Sequence, residues 1–214
     1  LVEYLIGYLL QNGSLTENDL RTFHPSVCNR LDKNTSGIIA AGKSLAGLQE
    51  LSALFHDRTV HKDYLCIVKG IITRPQHIHG YLHKDTSLNK VTVLQNKTRD
   101  AQPIETQYNP ICHNANATLL KVRLITGRTH QIRAHLASEG HPLAGDTKYG
   151  HPEFNRYFRD HYGLKHQFLH AYRLTFPKLD GRLHDLSEKH FEAALSMQCQ
   201  HILKEEHLEE NYYE

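Results

Sequence analysis

The 214-residue sequence lacks any uninterrupted apolar segment near the ~20 residues that a membrane-spanning helix requires. Its first segment, LVEYLIGYLL, carries Glu3 and has neither a basic start nor a small-residue cleavage site, so it does not resemble a signal peptide. Pro/Ser-rich linkers, low-complexity runs and repeats of fixed period are also lacking. With 39% hydrophobic and 22% charged residues, the composition favours a globular protein without a membrane partner.

Cysteine is scarce, and its four residues are scattered. Cys28, Cys66, Cys112 and Cys199 form no CxxC pair and show no disulfide-like density. A reduced, cytoplasmic setting with buried thiols is therefore expected.

Recognised metal-binding patterns are missing as well, although the sequence contains 18 histidines. His77, His79 and His83 lie close together, as do His130 and His135, but there is no helical HExxH and no cysteine near enough to complete a tetrahedral site. We predict no metal site and interpret these residues as surface histidines or as histidines with protein partners.

One short pattern suggests nucleotide binding. Residues 37–44, GIIAAGKS, match the phosphate-binding loop, which needs an apolar strand before its first glycine. Here that glycine follows the polar residues 32–36, and no later apolar run ends in an aspartate that would hold magnesium. A nucleotide hydrolase is therefore a minor alternative, in which Lys43→Ala would abolish ATP or GTP binding, and no nucleotide cofactor is expected.

Charge is distributed unevenly along the chain. Eight acids and two lysines give residues 185–214 a net charge of −6, so the total of +2 leaves +8 on residues 1–184. Lys121, Arg123, Arg128 and Arg133 fall within thirteen residues that contain no acid, a concentration that could hold a polyanion. A solvated surface is the alternative, and charge alone favours it.

Hydrophobic periodicity predicts a mixed α+β fold in a single domain spanning residues 1–214. Helices are expected over residues 1–11, from Ser44, from a cap at Thr129 to Gly140, and over residues 188–210. Strands are expected over residues 37–41, 64–68, 91–94, 118–125 and 168–176.

The segment NRLDKNTSG, residues 29–37, places the Asp32 carboxylate between Arg30 and Lys33, which favours its charged form. On spacing alone, a structural ion pair explains this cluster equally well. The segment resembles the HRLDxxTSG motif that carries the catalytic aspartate in the RluA-type family of RNA pseudouridine synthases. Four more segments resemble the motifs of that family in order: HKDYLCIVKG (61–70), GRTHQIR (127–133), HPLAGDTKYG (141–150) and HAYRLTFP (170–177).

The resemblance implies a mainly antiparallel sheet flanked by helices, and an isomerase that converts uridines of ribosomal or transfer RNA to pseudouridine without a cofactor. It assigns Asp32 as the nucleophile, attacking either C1′ of the ribose or C6 of the uracil. Tyr64 is expected to stack on the base and to remove the C5 proton, and Arg133 to lie beside the aspartate. A catalytically silent RNA-binding module of the same fold is the alternative.

The resemblance also implies RNA contacts, since a stacked uridine must be flipped out before it can react. Arg30 is expected to fill the vacated space or to hold the flanking phosphates. The other predicted RNA-binding residues are Lys33, Arg128, Thr129, His130 and Gln131. A monomer is expected.

The sequence departs from the family pattern in two places. Asn29 stands where the family usually has histidine, and we expect altered loop geometry or RNA contact rather than lost chemistry. The family's N-terminal strand, its KPxG segment and any N-terminal RNA-binding domain have no counterpart in the sequence, so the chain is expected to be a fragment.

Overall fold

The computed structural model describes residues 1–85 and 90–209, and the chain separates into two compact units. The smaller unit contains residues 1–31, 38–61 and 174–191, and the larger unit contains residues 32–37, 62–173 and 192 onward. The single domain expected from the sequence stays a prediction. Within the described ranges, no helix has the length and apolar character needed to cross a membrane.

The helices are α1 (Val2–Gln11), α2 (Leu45–His56), α3 (Gln131–Ser138), α4 (Pro152–Tyr162) and α5 (Met197–Glu205), with 3₁₀ turns at Asp19–Arg21 and Gly181–Leu186. The strands are β1 (Ser26–Val27), β2 (Ser36–Gly37), β3 (Ala41–Gly42), β4 (His61–Lys69), β5 (Gln76–Asp85), β6 (Lys90–Leu94), β7 (Gln102–His113), β8 (Ala117–Leu124), β9 (Leu169–Thr175) and β10 (His190–Glu192).

The smaller unit is built around α2, whose start was predicted correctly. The Ser44 hydroxyl caps the helix by accepting a hydrogen bond from the Gly47 amide at 3.2 Å. Leu51 packs with Val60, Leu174 and Phe176 in the core of this unit. The match to a phosphate-binding loop ends in an ordinary helix cap, and the strands that enter the motif and lie within it, β2 and β3, are only two residues long each.

The larger unit contains most of the sheet, in the order β9-β4-β8-β7-β5-β6, with β2 pairing with β9. The pairs β4–β8, β8–β7, β7–β5 and β5–β6 are antiparallel, whereas β2–β9 is parallel. Leu65 and Leu119 on one sheet face pack with residues of α4 and α5, while Ile104 on the other face packs with Ala134 of α3. This confirms the predicted α+β fold with a mainly antiparallel sheet flanked by helices.

Three local predictions are wrong, and in the first two tertiary pairing overrides the sequence pattern. Residues 37–41 do not form one strand, because β2 ends at Gly37 and β3 starts at Ala41. The helix expected over residues 188–210 is divided into β10 and α5, since Ser196 starts α5 by accepting a hydrogen bond from the Cys199 amide; residue 210 lies outside the described residues. His130, in a left-handed conformation, occupies the cap position of α3 in place of Thr129.

Candidate active site

The Asp32 loop, residues 32–37, is fixed by the residues around the start of β9. The Gln167 side-chain amide donates a hydrogen bond to the Lys33 carbonyl at 2.8 Å. The Ser36 hydroxyl lies 2.8 Å from Nδ1 of His170, whose Nε2 lies 2.9 Å from a main-chain carbonyl. Contacts on both sides of the loop therefore hold Asp32 in place.

Gly37 makes this attachment possible. It has a φ of +116°, and a Cβ atom added there would lie 2.1 Å from the Ala171 carbonyl oxygen. Since β2 runs parallel to β9 with Gly37 opposite Ala171, only a glycine lets the two backbones approach this closely. The glycine at the end of the NRLDKNTSG segment thus sets the distance between the loop and the sheet.

Arg133 links the Asp32 loop to a second, buried carboxylate. Its Nε and Nη2 atoms donate hydrogen bonds to Oδ2 and Oδ1 of Asp146 at 2.7 and 2.9 Å. Its Nη1 lies 3.6 Å from Oδ2 of Asp32. The Arg133 side chain is 7% exposed and that of Asp32 is 22% exposed, so the ion pair is shielded while the Asp32 carboxylate stays accessible.

The pKa values of Asp146 and Arg133 are both shifted in the direction that favours the charged side chain. Burial alone would raise the pKa of Asp146, but the hydrogen bonds and charge of Arg133 outweigh it and hold that pKa below its usual value. Burial would likewise lower the pKa of Arg133, but the hydrogen bonds and charge of Asp146, and then the charge of Asp32, raise it. One permanent cation therefore lies between two carboxylates.

Tyr64 lies in β4 within the same unit and is 6% exposed. Burial raises the pKa of its phenol, and the negative charge of Asp32 raises it further. Tyr64 is therefore a neutral phenol at neutral pH in the free protein, and it is close enough to Asp32 to respond to its charge.

His130 and Tyr149 form a second polar pair beside Arg133. The Tyr149 hydroxyl accepts a hydrogen bond from the Val91 amide at 3.0 Å and lies 2.9 Å from Nδ1 of His130. This hydroxyl can donate to Nδ1 or accept a second hydrogen bond from it, so the pair holds the His130 ring in place in either tautomer. Burial lowers the pKa of the His130 imidazole. The negative charge of Asp32 opposes this shift and the positive charge of Arg133 adds to it, so the neutral ring predominates near pH 7.

The predicted RNA-binding residues differ in exposure. Lys33 and Arg128 are exposed, and Thr129 and His130 are half-buried, all within the larger unit. Arg30 is exposed and belongs to the smaller unit. In that unit Oδ1 of Asn29 accepts a hydrogen bond from the main-chain amide of Ala40 at 2.8 Å. Nδ2 of Asn29 donates one to the Ile38 carbonyl at 3.4 Å.

Gln131 differs from the other predicted RNA contacts because it is only 2% exposed. Its Oε1 accepts hydrogen bonds from the Thr126 hydroxyl at 2.8 Å and the Arg128 amide at 3.1 Å. Its Nε2 donates to the Glu105 carbonyl and to the Thr106 hydroxyl, both at 3.0 Å. The side chain therefore fixes the turn that carries Arg128, and it is not available at the surface for RNA.

Comparison with known proteins decides the family. The family model described as RNA pseudouridylate synthase matches residues 11–138, more than half of the chain. The chain belongs to this family. Ribosomal large subunit pseudouridine synthase C of Vibrio vulnificus is 36% identical over 150 residues, which cover 70% of this chain and 46% of that protein. The protein of the same name from Haemophilus influenzae is 36% identical over 181 residues, covering 83% of this chain and 54% of that protein.

The fold of this RNA pseudouridylate synthase family member agrees with solved structures. Human RNA Pseudouridylate Synthase Domain Containing 4 matches with a TM-score of 0.67 at 23% identity, covering 86% of this chain and 76% of that chain. Human RNA Pseudouridylate Synthase Domain Containing 1 matches with a TM-score of 0.63 at 22% identity, covering 87% and 82%. The chain spans about half the length of the curated relatives it matches.

Sequence reasoning gave no role to several residues that build the site in this family member. Asp146 and Tyr149 lie inside the HPLAGDTKYG segment, and His170 begins the HAYRLTFP segment, so motif resemblance marked their positions without showing their contacts. Gln167 lies before that last segment and carried no such signal.

Proposed function

We propose that this chain is an RNA pseudouridine synthase that isomerises uridine in ribosomal RNA, with transfer RNA as the second candidate substrate. The observation that carries the proposal is the partly exposed Asp32 carboxylate, paired with a buried arginine that is itself fixed by Asp146. An aspartate held in this way is positioned to react, because the guanidinium and the loop contacts fix its direction. The names of the relatives from Vibrio and Haemophilus favour ribosomal RNA as the first substrate to test.

The proposed reaction starts at Asp32. Its carboxylate oxygen attacks either C1′ of the ribose or C6 of the ring, and the N1–C1′ bond breaks while the base stays in the pocket. The base then turns, and a C5–C1′ bond forms as the bond to Asp32 is released. The C5 proton is lost and N1 gains a proton, so the product is an isomer of the substrate and no external reactant is consumed.

Tyr64 supplies the ring that stacks on the flipped uracil. Burial is the larger cause of the raised pKa of Tyr64, and the charge of Asp32 adds to it, so the phenol is neutral when the substrate binds. Its phenol oxygen accepts the C5 proton as the phenol passes its own proton on, so Tyr64 stays neutral and one proton is returned to N1.

RNA binding is assigned to the exposed cations and to the turn after β8. Arg30, Lys33 and Arg128 provide charge for the backbone phosphates, and Arg30 occupies the space left by the flipped base. His130 lies on the same turn, where its Nδ1 is paired with the Tyr149 hydroxyl, and it is assigned a contact with the RNA backbone. Gln131 acts indirectly, by holding the turn in shape.

The test is release of tritium from RNA labelled at C5 of uridine, with separate ribosomal and transfer RNA substrates. Wild type is expected to release tritium, and Asp32→Asn is expected to release none while binding the same RNA. Asp160→Asn, an exposed aspartate on α4, is the matched control and keeps full activity. Equal release from Asp32→Asn and wild type refutes the aspartate mechanism, and RNA binding without release from either identifies a silent RNA-binding module.

A further inference from the structure

Three potential metal ligands meet on adjacent strands of the larger unit. His77 and His79 alternate along β5, and Glu105 lies opposite His79 in the antiparallel pairing of β5 with β7. Nε2 of His77 is 2.7 Å from Oε1 of Glu105, and the two imidazole centroids are 4.4 Å apart. One ligand atom from each side chain lies within 4.8 Å of the other two.

Strand register separates this cluster from the candidate active site. A row of paired residues crosses four strands of the sheet, from His77 in β5 through Gln107 in β7 and Arg123 in β8 to Asp63 in β4. Residues paired in this way point to the same face of the sheet, and neighbours along a strand point to opposite faces. Tyr64, next to Asp63, therefore points to the opposite face, so the cluster is a separate site.

The donor set suits a borderline divalent cation. Two imidazoles and one carboxylate are typical ligands of Zn²⁺, at about 2.0–2.2 Å from the metal, which puts tetrahedral ligand atoms roughly 3.4 Å apart. The side chains of His77 and Glu105 are 50% and 35% exposed, so small rotations in solvent bring the three atoms to that spacing. The fourth position is left for water, as in three-ligand zinc sites.

We propose that His77, His79 and Glu105 form a binding site for one divalent transition-metal ion, with Zn²⁺ as the reference ion. The hydrogen bond between His77 and Glu105 already holds two of the ligands together across the strands. Glu105 also accepts a hydrogen bond from Gln131 at its carbonyl and donates one from its amide to the Thr126 hydroxyl at 2.9 Å. Metal bound to its side chain therefore stabilises the strand on which the turn of residues 126–131 rests.

The experiment measures metal binding directly and does not depend on the proposed catalytic function. The full chain is titrated with Zn²⁺ by calorimetry and with Co²⁺ by visible absorption, which distinguishes nitrogen and oxygen ligation from thiolate ligation. We expect one site of micromolar affinity with no thiolate signal. His77→Gln and Glu105→Gln each remove one ligand and are expected to weaken this binding at least tenfold.

His83→Gln is the matched control, because His83 is an exposed histidine on the same strand and the same face. It is expected to bind Zn²⁺ as wild type does, with an unchanged circular dichroism spectrum. Binding of equal strength in wild type, His77→Gln and Glu105→Gln overturns the proposal, since the ion is then held by other histidines. Absence of saturable binding by the wild-type chain overturns it as well.

Discussion

Arg133 donates two hydrogen bonds to Asp146, at 2.7 and 2.9 Å, through Nε and Nη2. This leaves Nη1 directed at Asp32, 3.6 Å away. Asp146 therefore sets the direction of the guanidinium without touching the carboxylate on the far side. The position of Asp32 therefore depends on a residue that is 1% exposed and has no direct part in the proposed chemistry.

Asp146→Asn is expected to destabilise the protein and to reduce its activity. The substitution keeps the shape but leaves the buried Arg133 charge without its main partner, a change that costs roughly 3 kcal/mol. Urea unfolding measures the stability and tritium release the activity, which we expect to fall at least tenfold. Asp160→Asn, whose partner Arg159 is exposed, is the control and should change neither. Unaltered stability of Asp146→Asn would show that the ion pair contributes nothing.

Tyr64→Phe is expected to separate binding from chemistry. The phenylalanine ring retains the stacking surface, so RNA affinity in a gel-shift assay stays at the wild-type level. Loss of the hydroxyl removes the proton acceptor, and isomerisation slows by at least about 100-fold. Tyr157→Phe, a 42% exposed tyrosine of α4, serves as the control. Full activity in Tyr64→Phe would leave the residue only a stacking role.

Arg128→Ala is expected to weaken RNA binding mainly by removing one phosphate contact. Each neutralised phosphate contributes about 0.7 to 0.9 to the slope of log affinity against log salt. Fluorescence anisotropy over a range of KCl concentrations should therefore show a slope that is smaller by about that amount. Arg159→Ala on α4 removes an exposed arginine without changing the slope. Identical slopes for wild type and Arg128→Ala would place Arg128 away from the RNA.

The buried imidazole of His135 predicts acid sensitivity. Its Nδ1 lies 3.0 Å from the Thr106 hydroxyl, and burial lowers its pKa from 6.5 to about 4. Since the unfolded chain takes up this proton more readily, the stabilisation is fully present above pH 6.5 and is lost as the pH falls toward 4. The loss from this group is roughly 3 kcal/mol.

His135→Asn removes that titration, so its unfolding free energy should fall less steeply between pH 6.5 and 4 than that of wild type. Denaturant unfolding at several pH values provides the measurement. His56→Asn, at an 88% exposed position, retains the wild-type pH dependence. Parallel curves for His135→Asn and wild type would contradict the assignment.

The sequence predicted the elements whose limits are set locally. Asn12 follows α1 and Ser44 caps α2, and each signal depends on a few neighbouring residues. The helix expected over residues 188–210 was wrong because β10 forms by pairing with distant chain. The amide of Ala193, for example, donates to the Tyr172 carbonyl at 2.8 Å. Periodicity within one segment does not contain that information.

The candidate site was predictable to the extent that it lies in short motifs. Resemblance identified Asp32, Tyr64 and Arg133, and the structure places all three in the larger unit. The interpretation of Gln131 as an RNA contact failed to anticipate its burial, because a polar residue beside exposed cations gives no sign that its amide is used internally. The sequence grouped His77 and His79 with His83, whereas Glu105 joins the first two only through the register of β5 and β7.

The attachment of the Asp32 loop to β9 has a consequence for synthesis of the protein. Gly37 is fixed opposite Ala171, more than a hundred residues later in the chain. A growing polypeptide therefore cannot hold its reactive carboxylate in place until Ala171 has left the ribosome. Translation products that end after Arg133 but before Ala171 would carry every catalytic side chain proposed here and still be inert.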